Sequence, residues 1–91
     1  MLQSLQVIVQ GKVQGVYYRQ STREKATELG ITGTVKNLVN GDVEIIATGE
    51  DTALTQFTGW CKQGPPKAYV QEVEVNDAKP DSSIKHFFIT Y

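Results

Sequence analysis

The sequence predicts an α+β fold, a split βαβ sandwich with one mainly antiparallel sheet and two helices on one face. Three observations carry that expectation. Apolar and polar residues alternate in several short runs, as half-buried strands require. Two other stretches repeat apolar residues at helical spacing. The runs follow the order β-α-β-β-α-β with one more strand at the end, and right-handed crossovers close that order into a split βαβ unit.

Each element has its own signals. Leu5, Val7 and Val9 alternate with Gln6 and Gln10, giving a strand over about residues 5–11. A loop punctuated by Gly11 and Gly15 follows and ends in Arg19. Ser21 with Glu24 forms a capping-box pattern that opens a helix, Ala26 and Leu29 give it an inner face, and Gly30 suits its C′ position. Thr34 to Val39 and Val43 to Thr48 are β-rich, and Asn40-Gly41 between them predicts a tight hairpin, since both residues tolerate positive φ. Asp51 is the expected cap of a second helix, in which Ala53, Leu54, Phe57, Trp60 and Cys61 recur at helical spacing. Gly64-Pro65-Pro66 stops it. Tyr69 to Val75 reads as a strand, Asn76 to Ser83 as a polar loop, and His86 to Tyr91 as a final strand. This is the ferredoxin-like arrangement, and residues 1–91 are expected to form one domain.

Composition narrows the function classes. A net charge of −1 lacks the basic face that nucleic-acid binding needs. The strands expected on the open face offer Gln6, Ile8, Gln10, Glu44 and Ile46, which is no aromatic platform for RNA bases. Cys61 is the single cysteine, so no internal disulfide forms. The first residues carry neither a charged n-region nor an apolar h-region, and no apolar run reaches the ~20 residues of a membrane span. A cytoplasmic monomer acting on a small molecule, without nucleic-acid or membrane partners, is the expectation.

The chemistry concentrates in the stretch Gly11-Lys12-Val13-Gln14-Gly15-Val16-Tyr17-Tyr18-Arg19. A glycine-rich turn running into a helix start aims several backbone N–H groups inward and adds the partial positive charge of the helix N-terminus. Arg19 supplies a planar, permanently charged fork suited to phosphate oxygens. In the predicted topology the first two strands run parallel with the third between them. The loop after strand 1 and the late residues of strand 2 therefore share one sheet edge, roughly 10 Å apart. That brings Asn37 to the same edge as Arg19.

At these residues the chain resembles the acylphosphatase family. Gly11 to Arg19 matches its glycine-x-valine-glutamine-glycine-valine-x-aromatic-arginine run, and Gly33-Thr34-Val35-Lys36-Asn37 followed by the Asn40-Gly41 turn matches its second motif. Gly64-Pro65-Pro66-Lys67-Ala68-Tyr69-Val70 and the ending Phe87-Phe88-Ile89-Thr90-Tyr91 are weaker echoes, all four in register. Tyr18 departs from the phenylalanine commoner before the arginine. The resemblance implies hydrolysis of acyl phosphates to a carboxylate and inorganic phosphate, with no metal or organic cofactor. It implies that Gln14, Gly15, Val16, Tyr17, Tyr18 and Arg19 hold the phosphate and that Asn37 orients the attacking water.

The residues fit such chemistry. An acyl phosphate has a stable carboxylate as leaving group, so positioning and charge stabilisation suffice. Asparagine orients water without deprotonating it. Cysteine-dependent phosphatases place a cysteine six residues before the loop arginine; here that position is Val13, and Cys61 reads as a small core residue. Arg23, Lys12 and Lys36 read as surface charge, His86 as an exposed strand residue, and Tyr17, Tyr18, Trp60, Phe87 and Tyr91 as packing. Two further readings use the same fold. One is a non-catalytic phosphate- or small-molecule-binding module; the other is a domain that channels a phosphorylated intermediate within a larger system.

Overall fold

The computed structural model describes residues 2–91. Its elements are β1 (Leu2–Lys12), α1 (Tyr18–Glu28), β2 (Thr32–Asn37), β3 (Val43–Glu50), α2 (Asp51–Gln63), β4 (Tyr69–Asp77) and β5 (Phe87–Ile89). They form a five-stranded sheet in the order β4-β1-β3-β2-β5. β1 pairs with β3 and β4, and β3 with β2, all antiparallel, whereas β5 joins β2 in parallel. The α+β split βαβ architecture is the one the residue pattern predicts.

Alternation on the strands decides which face is covered. Val7 and Val9 of β1, Val35 of β2 and Val43, Ile45 and Ala47 of β3 are buried, and they meet Ala26 of α1 with Leu54, Phe57 and Cys61 of α2 in one core. Full burial of a side chain the size of Phe57 or Ile45 contributes roughly 1.5–3 kcal/mol. The other face mixes polar side chains with Ile8 and Ile46 and is cross-linked: Gln6 donates to Glu44 at 3.0 Å, and Lys36 pairs with Glu44 at 3.8 Å.

β1 starts three residues earlier than expected and ends one later, β2 lies two residues earlier, and β4 runs on through Asn76 and Asp77, which were expected in a loop. Four further differences have a local cause. Helix α1 starts at Tyr18, not at the Ser21-Glu24 pattern: the Ser21 N–H already donates to the Tyr17 carbonyl at 3.0 Å, so Ser21 lies inside the first turn. Helix α2 has Glu50 at its cap position and Asp51 as its first helical residue, because β3 runs straight into it. The β2–β3 turn is wider than a two-residue hairpin. Leu38 N–H donates to the Asp42 carbonyl at 2.8 Å, only Gly41 takes a positive φ (99°), and Asn40 instead accepts from the Asp42 N–H at 3.0 Å. Strand β5 covers only Phe87–Ile89, although Thr90 N–H still donates to the Val35 carbonyl at 2.8 Å. The α1 stop is as expected. Gly30 at φ 75° closes a Schellman turn, with Gly30 N–H on Thr27 O (3.2 Å) and Ile31 N–H on Ala26 O (2.8 Å).

Candidate active site

Strand register explains why two distant segments meet. Val43 of β3 pairs with Val9 of β1 on one side and with Asn37 of β2 on the other. Asn37 is therefore level with Val9, with β3 between them, and the loop that leaves β1 lies at the same end of the sheet. The loop is tied to the β2–β3 turn by the Gln14 side chain, whose Nε2 donates to the carbonyls of Leu38 (2.8 Å) and Asp42 (2.9 Å). Val16 is buried and anchors the loop in the core. Gly15 (φ 75°) and Tyr17 (φ 64°) both adopt left-handed backbone, which turns the chain sharply into α1. As in any α-helix, the amides of the first turn, Tyr18 to Gln20, have no acceptor within the helix.

A cavity of about 410 Å³ opens there, lined by Val13, Gly15, Tyr17, Tyr18, Arg19, Gln20, Asn37, Ile89 and Tyr91. Of the loop residues expected from the sequence, Gly15, Tyr17, Tyr18 and Arg19 line it together with Asn37. Gln14 and Val16 support the loop from behind. The guanidinium of Arg19 lies over the Tyr91 ring, 5.0 Å from its centroid, an arrangement in which the ring face attracts the cation. Oδ1 of Asn37 is buried and has no hydrogen-bond partner among the described residues. An unpaired buried acceptor costs about 1–3 kcal/mol, which a hydrogen-bond donor would offset. No aspartate or glutamate side chain is among the lining residues.

The tyrosines divide. Tyr18 is buried as expected: its hydroxyl donates to the Cys61 carbonyl at 2.8 Å and its ring lies 5.6 Å from Trp60. The extra hydroxyl relative to phenylalanine thus closes one of the open carbonyls at the end of α2. Tyr17 and Tyr91 are not core residues; they are 71% and 98% exposed and stand at the cavity. The sequence reading missed Val13, Gln20, Ile89 and Tyr91 as lining residues. The parallel β2–β5 pairing, which carries the last residues to the Arg19 end of the sheet, has no local sequence signal. His86 is exposed, with its ring packed edge-on against Phe88 at 6.1 Å, and lies away from the cavity. Burial pushes the Cys61 thiol up to about 12, leaving it protonated and inert near neutral pH.

Among the described residues no cluster of three or more histidines, cysteines or carboxylates stands where it would hold a metal ion, and no helix is long and apolar enough to cross a membrane. The family model for acylphosphatase matches residues 5–89. The chain is 47% identical over 85 residues to the acylphosphatase of Marinobacter nauticus, a match covering 93% of this chain and 92% of that protein. The solved acylphosphatase of Coxiella burnetii superposes with a TM-score of 0.91 at 43% identity, over 98% of this chain and 93% of that one. The Bacillus subtilis acylphosphatase gives 0.93 at 35% identity over all of both chains. With its fold and nearly its whole length in agreement, the chain belongs to the acylphosphatase family.

Proposed function

We propose that this chain hydrolyses small acyl phosphates to a carboxylate and inorganic phosphate. The observation that carries the reading is the meeting, around one cavity, of Arg19, the first turn of α1 with its open amides, and Asn37, whose Oδ1 is unpaired. Arg19 and the amides hold the phosphoryl oxygens and offset the charge that builds on them. Water donates one hydrogen bond to Asn37 Oδ1 and is thereby aimed at phosphorus, in line with the acyl oxygen. Its oxygen bonds to phosphorus, the bond from phosphorus to the acyl oxygen breaks with its electron pair leaving on the carboxylate, and the water proton passes to a phosphate oxygen. A dianionic acyl phosphate and water thus become a carboxylate and monovalent phosphate. No lining side chain is a carboxylate or a histidine, which supports the substrate's own phosphate as proton acceptor. Direct attack without a phosphoenzyme is favoured by Val13 at the position six before Arg19 and by the buried, protonated Cys61.

The same reading takes residues 1–91 as one acylphosphatase domain acting as a cytoplasmic monomer without a cofactor. The single free thiol is at home in a reducing compartment. The test is hydrolysis of benzoyl phosphate by the purified chain with chelator present. Arg19→Ala lowers kcat/KM by about 10³-fold, since a lost charge-stabilising donor costs about 10²–10³ or more. Asn37→Ala lowers kcat by roughly 10²-fold while inorganic phosphate still binds as a competitive inhibitor. A well-folded parent that binds phosphate and turns over nothing overturns the hydrolase in favour of a binding module.

A further inference from the structure

Tyr17 is the one residue other than glycine, among those described, with a left-handed backbone (φ 64°, ψ 23°). That region disfavours a bulky L side chain, and glycine or asparagine fits it better. Burial returns little for the strain, because Tyr17 is 71% exposed. It makes no side-chain cap for α1 either. The fold thus keeps a strained aromatic residue in solvent beside the phosphate-binding cavity, and strain of this kind concentrates at ligand sites. The same cavity is lined by Ile89 and by Tyr91, which is 98% exposed. One part of the cavity is cationic and polar, through Arg19 and Asn37; the rest is aromatic and aliphatic.

An acyl phosphate has the same two-part character. Once its phosphate is held by Arg19 and the helix amides, its acyl group projects toward the remaining lining. We propose that Tyr17 is a specificity-determining residue. With Ile89 and Tyr91 it forms an apolar lip that favours acyl phosphates carrying aromatic or bulky acyl groups over acetyl phosphate. Ring-to-ring and ring-to-alkyl contact is available to a benzoyl group and out of reach of a methyl. The inference rests on the hydrolase reading, and its test separates the two.

kcat/KM for benzoyl and acetyl phosphate is measured in the parent, in Tyr17→Asn, which tolerates the left-handed backbone, and in Tyr17→Phe, which keeps the ring. The parent prefers benzoyl phosphate. Tyr17→Asn lowers the benzoyl-to-acetyl ratio about tenfold, mainly through the benzoyl KM, and Tyr17→Phe restores it. Thermal unfolding of Tyr17→Asn at or above the parent Tm shows that the loss is not one of folding. An unchanged ratio, with both substrates falling together, makes Tyr17 part of the loop scaffold and overturns the lip. A parent that hydrolyses neither substrate sinks the hydrolase reading alone. Calorimetry with benzoylphosphonate and acetylphosphonate then decides the lip: a benzoyl preference lost in Tyr17→Asn upholds it, and equal affinities overturn it.

Discussion

The two helices begin in opposite ways, and the contrast bears on the proposed phosphate site. Helix α2 continues directly from β3 through an extended Glu50, and Asp51 sits in its first turn. A carboxylate there answers the partial positive charge of the helix N-terminus from within the chain. Helix α1 starts after the loop of residues 13–17, has no acidic residue in its first turn, and carries Arg19 and Gln20 there on the cavity. Its positive end has no acidic residue beside it and is strengthened by a guanidinium. The same secondary structure is self-neutralised in one place and open in the other, and the difference comes down to a few side chains and a strained turn.

The two helices are also coupled. Tyr18, the first residue of α1, reaches under the last turn of α2 to the Cys61 carbonyl. Alkaline pH attacks that seam with the largest expected effect. The folded chain holds the Cys61 proton more tightly than the unfolded chain, with a pKa of about 12 against 9.0, because burial penalises the thiolate. Burial raises the Tyr18 phenol in the same direction. Stability from the thiol is therefore full below pH 9 and is lost as pH climbs toward 12, to a total of about 4 kcal/mol. Urea midpoints measured from pH 8 to 11 fall, and Cys61→Ala flattens part of that fall. A flat profile removes the buried seam from the account. Next in size is Gly64→Ala. Gly64 has φ 68°, and an added Cβ would stand 2.8 Å from Tyr18 Cε2 and 3.3 Å from Ala68 Cβ. The expected loss is about 2–3 kcal/mol by chemical denaturation, with a weaker KM for benzoyl phosphate because the displaced Tyr18 carries α1's first turn with it.

How much of this was legible in the sequence follows the same division. The fold was, since alternation in β1 and β3 and helical spacing from Ala53 to Cys61 are local patterns tied directly to burial. Arg19 and Asn37 were, because topology alone puts them on one edge. The helix starts were not. Ser21-Glu24 and Asp51 both look like caps, yet the start of α1 is set by the left-handed turn at Gly15 and Tyr17, and that of α2 by β3 running on without a loop. The turn at Asn40-Gly41 was misjudged in width, since the Asn40 side chain binds the Asp42 amide and leaves the positive φ to Gly41 alone. Tyr91 was hidden because its place depends on a short parallel strand, a tertiary pairing with no residue signal of its own.

Charge exchange probes the open helix end more gently. Gln20→Glu puts a carboxylate into the first turn of α1, at the cavity. At an effective dielectric between that of water and that of a protein surface, one like charge a few ångströms from the phosphate weakens it by on the order of 1 kcal/mol. KM for benzoyl phosphate and the Ki of inorganic phosphate rise together, about fivefold, and salt narrows the gap. Thr52→Glu makes the same change on exposed α2 and leaves both constants alone. Equal effects at the two positions would show that net charge, not the local helix end, governs binding.

The smallest effect tests the self-neutralised helix. Asp51→Asn removes the carboxylate that faces α2's N-terminus while keeping the size of the side chain. Exposed charge–dipole interactions of this kind contribute about 0.3–1 kcal/mol, which for a domain of this length lowers Tm by a few degrees. The loss shrinks in high salt, and KM for benzoyl phosphate stays with the parent, because Asp51 lies outside the cavity. A Tm loss that ignores salt would mean that the Asp51 side chain acts through packing and not through its charge. In that case only α1's end of the comparison would remain electrostatic.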